Sequence, residues 1–190
     1  MDQKELELIE RVLAGDAAAF EPLVTPYRGA LIGLASRIVT NPEDAREAVQ
    51  EALLKAFCYL KSCDPALGFR SWLYQIVVNT ARGYRKRAGA ELRGLAEAVS
   101  EWNPRTLTDD PAAGHEKSQA KDRLRQCLDV LSDREREVFW LREIEELNVE
   151  DTARVLRSSS ISVRVHLNRA RRKVLERFRS KYPDLTGENQ

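Results

Sequence analysis

Apolar residues return every third or fourth position along almost the whole chain, and no segment alternates apolar with polar residues. That spacing lays a stripe along one side of an α-helix and excludes a sheet as the organising element. Helix starts and stops are frequent, so the helices are short and must pack as small bundles. The expected fold class is all-α: two small helical domains joined by a flexible linker, the C-terminal one a helix-turn-helix. A chain of 190 residues suits that arrangement.

The local signals set the order of elements. Leu6, Ile9 and Leu13 mark a first helix. A second is expected from Asp16, as its N-cap, to Val39, with Pro26 kinking it or delaying its start. Asn41-Pro42-Glu43-Asp44 combines an N-cap, a proline at the first helical position and acids in the first turn, and launches a helix to about Leu60. Lys61 to Gly68 form a loop, and a further helix follows from Phe69 or Arg70 to about Arg87. The first domain is thus residues 1–90. Residues 91–110 read as a linker, with room for a turn of helix in 90–99. The second domain spans 111–180, and 181–190 form a tail. In it Ser132 and Glu135 make a capping box for a helix through Val138, Leu141 and Ile144. Asn148 and Asp151 cap a short helix ending at Leu156, and Ser159 starts a long one to about Phe178. Each half is expected to own a modest core and to move relative to the other.

Composition narrows the function classes. Hydrophobic residues make up 43% and charged residues 32%, which describes a charge-rich globular chain. No apolar run reaches the ~18–20 residues a membrane helix needs, and the acidic start Met1-Asp2-Gln3-Lys4-Glu5 lacks the apolar core of a signal peptide. No membrane insertion is expected, and the expected location is cytoplasmic. Cys58, Cys63 and Cys127 suggest ordinary thiols, and with only His115 and His166 beside them no metal site or cofactor is expected. No nucleotide-binding loop or nucleophile–base arrangement is visible, so the chain is expected not to be an enzyme. Net charge is only +1, yet the cations are segregated. Arg164, Arg169, Arg171, Arg172, Lys173, Arg177, Arg179 and Lys181 crowd the last helix, and Arg82, Arg85, Lys86, Arg87 and Arg93 form a second cluster. Local field, more than net charge, governs phosphate binding.

In the last helix Val163, Leu167, Ala170, Val174 and Phe178 form the inward stripe. Ser160, Ser162, Arg164, Val165, His166, Asn168, Arg169 and Arg172 lie off it, as a helix entering a major groove requires. Ile161 and Val165 stand four apart. They meet thymine methyl groups there, or they cover a neighbouring helix or a partner. In the helix from Arg70 to Lys86, Tyr74, Gln75, Val78, Asn79, Arg82, Arg85 and Lys86 fall opposite Trp72, Leu73, Ile76, Val77 and Thr80. A face of aromatic, amide and cationic groups is what single-stranded DNA requires for stacking, base edges and phosphates.

These stretches resemble the sigma factors of bacterial RNA polymerase, specifically the extracytoplasmic-function subfamily of the sigma-70 family. Asn41 to Phe57 is similar to the family's polymerase-binding helix, where Asp44, Glu47, Gln50 and Glu51 would face the clamp helices of the β′ subunit. Phe69-Arg-Ser-Trp-Leu-Tyr-Gln-Ile76, followed by Asn79 and Tyr84-Arg-Lys-Arg87, resembles the segment that recognises and melts the −10 element. The resemblance implies −10 contacts from Lys61, Asp64, Phe69, Arg70, Trp72, Tyr74, Gln75, Asn79, Arg82, Arg85 and Lys86. Leu131 to Val138 is similar to the opening of the −35-reading domain, and Leu147 to Ala153 with Val163 to Arg171 to its helix-turn-helix. That domain also touches the β flap in the family. Departures are Arg157 at a turn where glycine is usual, Ile161 and Val165 where small residues are usual, Gly83 where aspartate is common, and a loop before Phe69 one residue short. The implied function is to bind core polymerase and direct promoter-specific initiation on duplex and single-stranded promoter DNA, with an anti-sigma factor as a further partner. Two other readings remain: a helix-turn-helix regulator of duplex DNA that is no sigma factor, and an interaction module without promoter function. Trp102 is expected to anchor the linker on a partner or on one of the domains.

Overall fold

The structure, a computed structural model, describes residues 2–64, 68–98 and 126–183. Helix α1 covers Gln3–Leu13 and carries a capping box between Asp2 and Glu5. It ends at Gly15, whose φ of 104° only glycine adopts freely. The expected second helix is broken. A 3₁₀ turn at Ala17–Ala19 leads to α2, Phe20–Val24, and a second 3₁₀ turn at Thr25–Tyr27 leads to α3, Arg28–Ala35. Pro26 has no N–H to continue an α-helical ladder, and the tighter turn absorbs it.

Helix α4, Pro42–Cys58, starts where the cap signal places it, with the Asn41 side chain accepting from the Glu43 amide at 2.9 Å. Its inner face is mostly alanine: Ala45, Ala48, Ala52 and Ala56 are fully buried. Small side chains bring its backbone close to α5, Phe69–Ala98. Helix α5 runs eleven residues beyond its expected end, so 91–98 of the expected linker are helical. Alanine, leucine, glutamate and arginine dominate that stretch, and they outweigh the ~1 kcal/mol cost of each of Gly89 and Gly94. Trp102 and the rest of the linker lie outside the described residues.

In the second half, α6 spans Asp133–Phe139 with the expected capping box from Ser132. It does not continue as an α-helix to Ile144. Trp140–Ile144 form a π turn, closed by the Glu145 amide on the Trp140 carbonyl at 3.0 Å. Helix α7, Val149–Leu156, is capped by Asn148, and α8, Ser160–Lys181, by Ser159.

The two halves do not keep separate cores. One apolar cluster runs from Leu8, Leu23, Leu31 and Leu34 through Phe69, Leu73, Val77 and Val78 into Val138, Leu141, Leu156 and Val163. Among the described residues, Leu128, Leu131 and Ala170, with Phe139 and Val174 against them, form a cluster confined to the second half. Helix α5 is the shared element, packed by α3 and α4 on one side and by α7 on the other. This is why Val78, expected on the outer face, is fully buried.

Candidate polymerase and promoter-DNA interface

The outer face of α4 holds the expected polymerase contacts. Glu47 and Gln50 are exposed, Asp44 is half-buried, and all are free of intramolecular ion pairs among the described residues. Glu51 is engaged instead. Lys55 donates to it at 2.5 Å, Arg87 stands 3.7 Å away, and the Lys55 hydrogen bond chiefly holds its carboxyl below the usual range. On the same face, one turn beyond Gln50, Leu54 is 62% exposed, and Phe57 is partly exposed with its ring edge-on to Phe20. Neither was among the residues expected at the site. The alanine row at 45, 48, 52 and 56 is the signal that could have found them, because it already supplies the buried face.

Helix α5 carries the expected −10 residues, and here the structure is unlike an open binding face. Phe69 is fully buried between the rings of Tyr27 and Trp72. Tyr74 is also fully buried and donates its hydroxyl to the Glu145 carboxylate at 2.5 Å. Burial, then that hydrogen bond, pushes its pKa well above the ordinary phenol value. Arg70 donates to the Glu145 carbonyl at 2.6 Å and to its carboxylate at 3.2 Å. Gln75 donates to the Arg154 carbonyl at 3.1 Å. Arg82 forks onto Glu137 at 3.1 and 2.5 Å, and Arg85 lies 2.9 Å from Asp133. Every acceptor belongs to the second half. Trp72, expected on the face opposite Gln75 and Asn79, instead shares with them a cleft of about 410 Å³ that Lys55, Tyr59 and Arg157 also line. Lys61, Asp64 and Lys86 are exposed.

The helix-turn-helix of α7 and α8 turns through Arg157 in a left-handed conformation, φ 50° and ψ 56°. The turn keeps the shape glycine would give it. The Ser158 amide donates to the Ala153 carbonyl at 2.8 Å and the Arg157 amide to the Arg154 carbonyl at 3.1 Å, a complete Schellman closure. These bonds offset a left-handed cost of roughly 1–2 kcal/mol for a residue with a Cβ. On α8, Arg164, Val165, Asn168, Arg169 and Arg172 are exposed, and Ser160 and His166 are half-buried. Ser162 closes the N-cap, its amide and hydroxyl both bonded to Ser159. Ile161 is 71% exposed and Val165 41%, so neither covers a neighbouring helix.

A partly acidic helix face, an amide-and-arginine face one helix away and a helix-turn-helix behind them match known families in the same order. Residues 23–91 match Sigma-70 region 2, and residues 121–174 match Sigma-70 region 4. The RNA polymerase sigma-H factor of Pseudomonas aeruginosa is 30% identical over 175 residues, 89% of this chain and 91% of that protein. The chain belongs to the sigma-70 family, as an extracytoplasmic-function sigma factor. The ECF RNA polymerase sigma-E factors of Haemophilus influenzae and Escherichia coli K12 are 31% and 32% identical, each covering 86% of this chain and 89% and 88% of their own length. Among solved structures, CnrH in complex with the cytosolic domain of CnrY superposes with a TM-score of 0.63 at 27% identity, over 92% of this chain and 96% of that one. The sigma factor RpoE of Bartonella quintana, in complex with the anti-sigma factor NepR, shares the fold at a TM-score of 0.66 and 20% identity, over 83% of this chain and 94% of that one. This sigma factor therefore directs promoter-specific transcription. Among the described residues no helix is long and apolar enough to cross a membrane.

Burial pushes the thiol of Cys63 up to about 11, with Asp64 beside it adding to the shift, and burial also raises that of Cys127. Both are thus held as thiols rather than reactive thiolates at neutral pH.

Proposed function

We propose that the chain works in the cytoplasm, without covalent chemistry of its own, by dividing initiation among three faces. The face of α4 with Asp44, Glu47, Gln50 and exposed Leu54 binds the β′ clamp helices, charge at one end and apolar surface at the other. The outer face of α5 traps opened −10 DNA: Trp72 offers a ring to a base, Gln75 and Asn79 offer amides, and Arg70, Arg82 and Arg85 take phosphates. Helix α8 enters the major groove of the −35 element, its domain resting on the β flap, with Arg164, Arg169 and Arg172 on phosphates or guanine and Ile161 and Val165 against thymine methyl groups. An anti-sigma protein is the further partner, as it is for the Bartonella neighbour.

The observation that carries this reading is the cleft where Trp72, Gln75 and Asn79 meet Lys55 and Arg157, an aromatic surface, amides and cations within one space. The test is run-off transcription with core polymerase on genomic promoters. Asn79→Ala is expected to lower open-complex formation at least tenfold while leaving core binding within twofold. Equal loss of both would remove the role assigned to this face.

A further inference from the structure

Glu51 spans the seam between α4 and α5. Its carboxylate accepts from Lys55, one turn further along α4, at 2.5 Å, and stands 3.7 Å from Arg87 of α5. The Tyr84 hydroxyl of α5 hydrogen-bonds the same carboxylate. Arg87 in turn lies over the Tyr84 ring, 4.4 Å from its centroid. Lys55 also comes within 3.4 Å of the buried Thr80 hydroxyl of α5. One carboxylate thus gathers two cations and a phenol from two helices.

The balance of charge sets this cluster apart. Joining two helices takes one cation for one acid. Here Lys55 and Arg87 carry +1 each against −1 on Glu51, which leaves a net +1. The two cations stay open to solvent, their side chains 44% and 63% exposed. Pairs so exposed add little stability. What the carboxylate supplies is position, because two cations this close repel unless an anion stands between them.

The cluster also lies where a nucleic acid strand would pass. Lys55 lines the cleft of Trp72, Gln75 and Asn79. Thr80, Tyr84 and Arg87 follow at steps of four and three along one edge of α5, so the cations lead on from that cleft. Arg82 and Arg85 pair with acids of the second domain, whereas the acid that holds Lys55 and Arg87 belongs to the first.

We propose that Glu51 is a positioning residue for promoter opening, and that Lys55 and Arg87, which it holds side by side, take two further phosphates of the opened −10 strand beyond the Trp72–Asn79 cleft. The idea rests on the reading of α5 as the −10 face. It withdraws Glu51 from the polymerase contacts expected of it, since its carboxylate already has three partners within the first domain.

The test uses holoenzyme, core polymerase with the full chain, on a promoter active in run-off transcription whose −10 element is held open by mismatches. Lys55→Gln with Arg87→Gln removes two phosphate contacts. The slope of log affinity against log salt is expected to fall by about 1.4, at about 0.7 per phosphate of a single strand. Glu51→Gln keeps the shape of the side chain and removes its charge. It is expected to weaken promoter binding about fivefold with core binding within twofold, and to add nothing when Lys55→Gln and Arg87→Gln are already present. An acid that only weakened the local field would give the opposite sign, so unchanged or tighter promoter binding overturns the positioning role. So does a fivefold loss that persists in the triple variant, which marks a purely structural residue. A tenfold loss of core binding returns Glu51 to the polymerase surface. An unchanged salt slope in the double variant overturns the phosphate contacts. Asn79→Ala separates the two readings. If it too leaves promoter binding at wild-type strength, the −10 reading of α5 fails. If it weakens binding while the double variant keeps its slope, only the roles of Lys55 and Arg87 fail.

Discussion

Helices α5 and α8 are both basic, and both belong to the promoter-reading surface of the family, yet the free chain treats them in opposite ways. On α8, Arg171 and Lys173 make short pairs of 2.7 Å to Glu143 and Glu135 of their own domain, but the pairs of the two outward arginines Arg164 and Arg172 are long and exposed. Arg164 stands 3.7 Å from Glu150 and Arg172 3.8 Å from Glu176, in each case within the second domain. Exposed pairs of this kind contribute between nothing and about 1 kcal/mol, and DNA phosphates can displace them at little cost. On α5 the pairs of Arg70, Arg82 and Arg85 reach across to the other domain, and the Arg82–Glu137 pair is short, with Glu137 almost fully buried. Displacing that carboxylate requires the domains to part. The difference teaches that a cluster of arginines reports affinity for anions but not their identity. The same chemistry is proposed to serve DNA on α8 and serves a neighbouring domain on α5.

Four substitutions test that contrast, the largest effect first. Arg82→Ala leaves Glu137 with Arg134 alone and should cost on the order of 3 kcal/mol of docking stability, read as faster amide exchange along α5. Arg172→Ala, the matching change on α8, should stay within about 0.5 kcal/mol in urea unfolding, and equal losses would erase the distinction between the two helices. Arg157→Gly relieves a left-handed residue and should stabilise the chain by about 0.5–1 kcal/mol, seen as a higher Tm with the −35 preference unchanged. A lower Tm would show that the Arg157 side chain holds the cleft beside Asn79 together. Val165→Ser removes the methyls offered to thymine and should weaken selection at one −35 base pair by about 0.8 kcal/mol, measured by competition among substituted promoters. Unaltered preference would remove Val165 from the reading surface.

The burial of Phe69 and Tyr74 bears on the same contrast. Phe69 sits among aromatic rings of the first domain, so parting the domains would not expose it to DNA. Tyr74 is different, because its hydroxyl is held by Glu145 of the second domain, and separation frees it. One stays in the core of the first domain, and the other belongs to the face that the second domain covers.

What the chain decides locally was legible from its residues. The caps at Asn41, Ser132, Asn148 and Ser159 all form as their side-chain chemistry dictates, because a cap needs only its own first turn. The turn at Arg157 was marked by the sequence only as a departure from glycine; that it keeps the left-handed shape is a finding of the structure, held by the Schellman closure. The exposure of Glu47 and Gln50 on α4 follows from helical period, opposite the buried alanine row. Tertiary structure decided the rest. The length of α5 is the exception, a local matter of weak propensities summed over many residues that no single start or stop signal shows. The π turn at Trp140–Ile144 lies where the indole meets Gly33 and where Glu145 meets Tyr74 and Arg70. The burial of Val78 and Tyr74 depended on a second domain more than fifty residues away in sequence. Periodicity shows that a helix has two faces, but only packing decides that both faces of α5 are buried, one by its own domain and one by the acids of the other.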